Sequence, residues 1–258
     1  MAQVMARAAQ QKDNLCGPFW AARVLVEAGF TEWSGERVDE DLIATRAGST
    51  LPPASGEPSV PPGAVSLTSY RFDLPTVSPA ESGTSAESLM HVIEAASGGA
   101  LRCVPVRGRW TADRIENLVS EAAGFRARLI ANVQTGKLWA SRPDVEVLLD
   151  EFAGRPVEEP AADWNVGHFI ELRMLIRGPK NALVVVQDSY PVLGVQGRHL
   201  QPPRAVAAAL LRDDGREGGV LAIVAREKAN AVAARVAALG LDVRAWNNGS
   251  RSADHGDR

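Results

Sequence analysis

Two β-rich runs constrain this chain more than any other feature. GHFIELRMLI begins at Gly167, NALVVVQDSY ends at Tyr190, and the residues joining them, RGPKN at 177–181, are turn-forming by composition. Runs this close pair as an antiparallel hairpin, because a parallel pairing needs a crossover of about a dozen residues or more. The pairing has a chemical corollary. His168 opens the first arm and Asp188 closes the second, so an antiparallel register brings both to one end of a sheet, with the His168 ring at its mouth.

Helical and strand patterns alternate on either side of the hairpin. Residues 16–28 read as a helix stopped by Gly29, and 35–47 as a second. Helices at 84–96, 111–123 and 142–152 are interleaved with strands at 100–106 and 126–133. QPPRAVAAALLR is a helix with proline in its first turn, and 218–246 reads strand–helix–strand. The expected class is α+β. At 258 residues and 45% hydrophobic content the chain buries a full core. The expected division is a main domain over 1–215, a compact strand–helix–strand unit over 216–246 and a disordered polar tail over 247–258. Residues 48–83, dense in Pro, Ser and Gly, are too long for a plain connection. They read equally as a lid over a cleft or as a surface insertion.

The first helix opens with a cysteine, in QKDNLCGPFWAARVLVEAG. Pro18 belongs in a first turn, which places Cys16 at or beside the N-cap, where free backbone N–H groups and the helix dipole favour a thiolate. Asp13 and Asn14 are candidates to cap the same end. Upstream, the amides of Gln10 and Gln11 can fold back beside the sulfur and form an oxyanion hole with the Cys16 N–H. The opposing reading is a small buried hydrophobe that happens to start a helix. A nucleophilic thiol needs a base, and His168 is the best placed of four histidines, with Asp188 to orient its ring. His91 sits within a helix without marked surroundings. His199 either lines a cleft or caps a turn, and His255 falls in the tail. Cys103, in mid-strand, reads as a core thiol. Trp20, Trp164 and Tyr190 adjoin the three candidates and either wall a substrate cleft or belong to the core.

Taken together, an upstream glutamine, CGP at a helix start, GHF opening a strand and a hairpin closing on QDSYP resemble the papain-like cysteine peptidase superfamily. The nearest branches are the bacterial leader peptidases, the phytochelatin-synthase-like proteins and the papain-like acyltransferases. The resemblance covers residues 10–29 and 166–191, plus the order of elements between them. It implies an N-terminal catalytic helix packed on an antiparallel sheet, with the C-terminal strand–helix–strand unit as an appendage. It further implies Cys16 as nucleophile, His168 as general base and acid, and Asp188 as orienter. By spacing, the superfamily's oxyanion glutamine falls on Gln10, with Gln11 one residue closer. The implied activity is hydrolysis of a peptide or other amide through an acyl-thioester. Acyl transfer to an amine shares the first half-reaction and is the alternative, and a non-catalytic binding module is the third reading.

Other classes find no footing. A net charge of −3 without a basic run offers nothing to nucleic acid or to an anionic membrane, and no apolar stretch has the length of a membrane span. CxxC, HExxH, GxGxxG and GxxxxGK[ST] spacings are all lacking, so neither a metal nor a nucleotide cofactor is expected. The opening MAQVMARAAQQKDN lacks the apolar centre of a signal peptide. The expected setting is the cytoplasm, and the expected partner is a peptide or acyl-donor substrate.

Overall fold

A computed structural model describes residues 9–54 and 60–252; His255 lies outside them. The first helix, α1 (Cys16–Glu27), is followed by a short hairpin, β1 (Glu32–Trp33) and β2 (Glu36–Arg37), then by α2 (Glu40–Arg46) and α3 (Ala86–Ala96). Next come β3 (Leu101–Arg107), α4 (Ala112–Phe125), β4 (Arg128–Gln134) and α5 (Val145–Phe152). The long hairpin is β5 (Gly167–Arg177) and β6 (Ala182–Gln187), with β7 (Arg198–Gln201) and α6 (Pro203–Leu211) after it. β8 (Gly219–Ala225), α7 (Ala229–Ala238) and β9 (Asp242–Val243) complete the order.

The fold is mixed α and β, built on one seven-stranded sheet in the order β7–β6–β5–β4–β8–β3–β9. Every ladder in it is antiparallel. Side chains alternate across a strand, so each strand feeds two cores. Ile130, Phe169, Leu221 and Ile223 pack with the first three helices, while Leu129, Ala131, Ile170, Val220 and Ala222 pack with α4, α6 and α7. Helices therefore cover both faces. A β-bulge between Leu172 and Met174 shifts the register of β5 against β6.

Three sequence expectations change here. The predicted helix at 35–47 begins only at Glu40. Ser34 and Gly35 both have positive φ (53° and 79°) and close a two-residue β-hairpin turn, and the Asp39 side chain then caps α2 by accepting from the Leu42 N–H. The C-terminal strand–helix–strand segment is no appendage, because β8 lies between β4 and β3, in the middle of the sheet. Its unbroken apolar run, GVLAIVA, suits a strand buried on both faces. The 215/216 boundary therefore cuts through a continuous core. Residues 247–252 are docked rather than loose: Asn248 is buried and donates to the Thr84 carbonyl at 3.0 Å, and Ser250 Oγ donates to the Ser82 carbonyl at 3.0 Å.

Candidate active site

α1 is buried along most of its length, with Trp20 and Leu25 at zero exposure. Gly17 lets it come close to its neighbours, since a Cβ there would fall 2.9 Å from Leu89 Cδ1 and 3.4 Å from the Phe169 ring. The N-cap is Leu15 and Cys16 is the first helical residue, with no side chain capping the end. Four backbone N–H groups at such an end lack helical partners. Asp13 does not cap them: its carboxylate accepts from Ser66 Oγ and the Leu67 N–H. Cys16 itself is half-buried.

His168 is buried beneath this helix start. Its Nε2 lies 3.2 Å from Asp188 Oδ1, and that oxygen also accepts from the Tyr190 N–H at 3.0 Å. The Asp188 N–H donates to the Gly197 carbonyl at 2.6 Å, which anchors the residue just past the end of β6. Trp164 meets the His168 ring edge-on at 5.2 Å and Tyr190 lies 5.8 Å away, so two aromatic rings enclose the imidazole. With Nε2 on Asp188, Nδ1 is the ring nitrogen left for Cys16, whose hydrogen bond and charge act on the same ring. Burial by itself disfavours imidazolium, but the Asp188 charge and hydrogen bond, helped by Cys16, outweigh it and raise the His168 pKa to about 10. Burial likewise works against the Asp188 carboxylate, yet the His168 charge and hydrogen bond hold its pKa below the ordinary value.

The glutamines have separate fates. Gln11 is buried, donates to Tyr190 Oη at 3.1 Å and accepts from Ser189 Oγ at 2.5 Å. It braces the turn that carries Asp188 and does not present its amide to the cavity. Gln10 donates its amide to the Val65 carbonyl at 2.5 Å. A backbone carbonyl thus already sits on the donor that the superfamily spacing singles out. Trp20 is core, since its Nε1 donates to the Phe169 carbonyl at 2.9 Å. Trp164 and Tyr190 pack on His168 and are not among the residues that line the cavity.

Cys16 and Gly17 open onto a cavity of about 630 Å³. The proline-rich segment supplies part of its wall, with Leu51, Pro52, Thr68 and Tyr70 among the lining residues. Hydrogen bonds at Asp13 and from Tyr70 Oη to the Asp13 carbonyl fasten that segment immediately upstream of the nucleophile candidate. The described part of 48–83 is therefore cleft wall.

The other histidines and the second cysteine lie elsewhere. His91 is exposed on α3. His199 is buried on β7, with Nδ1 3.0 Å from Gln201 Nε2 and Nε2 without a partner among the described residues, and burial lowers its pKa. Cys103 is buried in β3 and desolvation pushes its thiol pKa up. Sequence reasoning missed Asn132 and Arg212, which line the same cavity. ANVQ reads as an ordinary strand and Arg212 as the end of the helix QPPRAVAAALLR, and only the approach of β4 to the chain after α6 makes them neighbours. Among the described residues no group of three or more His, Cys, Asp or Glu is placed to hold a metal, and no helix is long and apolar enough to cross a membrane.

Residues 1–247 match a family of unknown function (DUF6885), and the chain belongs to that family. No curated protein and no solved structure matches it.

Proposed function

We propose that this family member is a papain-like cysteine hydrolase acting on a peptide or other amide bond. One observation carries the reading: a buried imidazole held by a carboxylate, with a half-buried cysteine at a helix start on its other side and a cavity leading to that cysteine. Burial of the whole His168–Asp188 pair is costly unless the pair is used or fully bonded, and perturbed titration of this kind clusters at functional sites.

In this mechanism Cys16 and His168 share one proton, which sits on His168 as the sulfur attacks the carbonyl carbon. The carbonyl oxygen gains the negative charge, and the N–H groups at the start of α1 face it. As the C–N bond breaks, the amine leaves with the proton from His168, and the acyl group stays on Cys16 as a thioester. Water then attacks the thioester and yields its proton to His168. The carboxylic acid leaves and the sulfur is released. Asp188 holds the imidazole in one tautomer throughout.

Intact-mass spectrometry of the protein mixed with peptide thioesters tests this. An acyl adduct on the wild type, absent from Cys16→Ala, is expected. Iodoacetamide labelling of Cys16 no faster than that of a free thiol, with no adduct from any donor, refutes the reading.

A further inference from the structure

Arg212 is an unusual residue to find on this cavity wall. Its side chain is 1% exposed, and burying a guanidinium is expensive unless the charge is paired and used. Its backbone has φ 52° and ψ 155°, a region that glycine adopts and L side chains rarely do. The chain thus accepts both desolvation and strain to hold an arginine here.

The bonding shows how the guanidinium is held and which donors it keeps. Nε donates to Asp214 Oδ1 at 2.9 Å, Nη2 donates to Asp214 Oδ2, and Nη1 donates to Asn132 Oδ1 at 3.2 Å. An arginine has five N–H donors. These bonds use three, so Nη1 and Nη2 each keep one N–H without a recorded partner among the described residues. Both nitrogens sit against Gly167, where a Cβ would fall 2.9 Å from Nη2 and 3.3 Å from Nη1. Gly167 directly precedes His168 and lines the same cavity as Cys16. Two N–H groups from one guanidinium can match the two oxygens of a carboxylate. Among the described residues the only acidic side chain on the cavity wall, Asp13, already has both oxygens bonded to Ser66 and Leu67. Asp214, which balances Arg212, is 30% exposed and screened by solvent.

We propose that Arg212 is the specificity residue of the Cys16 cavity and that it binds a carboxylate on the substrate, making the substrate an acidic peptide. This rests on the hydrolase reading for its chemistry, but its test needs no turnover. A tetrapeptide library is incubated with the Cys16→Ala protein, and retained peptides are identified by mass spectrometry. The library carries Glu or Gln at each position and ends in carboxylate or carboxamide, so that side-chain and C-terminal carboxylates are told apart. Enrichment of one carboxylate-bearing class by about tenfold or more is expected. It should disappear in Cys16→Ala/Arg212→Gln and be kept or increased in Cys16→Ala/Asp214→Asn, where less of the guanidinium charge is balanced. No enrichment, or enrichment that survives Arg212→Gln, overturns the proposal. If Arg212→Gln does not fold, a loss of enrichment in the Asp214→Asn protein overturns it instead. Iodoacetamide labelling of Cys16 in the wild type reports separately on the hydrolase reading, so either idea can fail alone.

Discussion

Replacing Asp188 by Asn removes a charge while leaving an acceptor for the His168 and Tyr190 N–H groups. In the native site Asp188 is the main reason that the His168 pKa stands at about 10, against 6.5 for a free histidine, and burial alone pulls it below 6.5. Without the carboxylate the ring should titrate below 6.5, a change of about 3.5 pH units or more, roughly 5 kcal/mol in proton affinity. The consequence for stability reverses sign. In the wild type the raised His168 pKa contributes stability fully below about pH 6.5 and loses it as pH rises through about 10. Asp188, with its lowered pKa, contributes above its ordinary 3.8 and loses this as pH falls through its native value. In Asp188→Asn the unfolded chain binds the proton more tightly, so stability should be flat above about pH 6.5 and fall on the acid side. Nitrogen-15 imidazole NMR, assigned with His168→Gln, reads the titration, and urea midpoints at several pH values read the stability. Turnover should fall by about two to four orders of magnitude, as expected when general acid–base chemistry is lost. A wild-type His168 that titrates near 6.5, or an identical curve in the variant, refutes the charge-pair account.

Three further outcomes follow from the same geometry. For wild-type turnover, kcat/KM should fall above about pH 10, where His168 loses the proton needed by the leaving amine, while iodoacetamide alkylation of Cys16 continues; parallel loss of both contradicts the assigned roles. Trp20→Ala should lower stability in urea unfolding by about 3–5 kcal/mol, because it empties a fully buried site and removes the indole donor from the Phe169 carbonyl; a change confined to KM would return Trp20 to the cleft. Gln11→Ala should lower stability by about 1–3 kcal/mol by stripping partners from buried Ser189 and Tyr190, whereas Gln10→Ala should stay within about 0.5 kcal/mol, and thermal melts of the two variants check the order.

What the sequence determined by itself was local. The RGPKN turn and its two flanking runs specify a hairpin, and an antiparallel hairpin brings His168 and Asp188 to one end whatever surrounds them. Proline in the first turn likewise marks Cys16 as the start of a helix. Tertiary structure decided everything that depended on which surfaces meet. An apolar run such as GVLAIVA is equally consistent with an appended unit and with a central strand, and only its pairing with β4 and β3 makes it central. Gln10 and Gln11 have the same side chain one residue apart, yet one faces a loop carbonyl and the other is sealed under Tyr190. Trp20, one helical turn after Cys16, reads from the sequence either as cleft wall or as core, and only its bond to the Phe169 carbonyl makes it core. Arg212 and Asn132 are 80 positions apart, and no periodicity links them. Short-range geometry follows from covalent reach and turn chemistry, whereas burial and cavity lining are set by packing between distant segments, which no local pattern encodes.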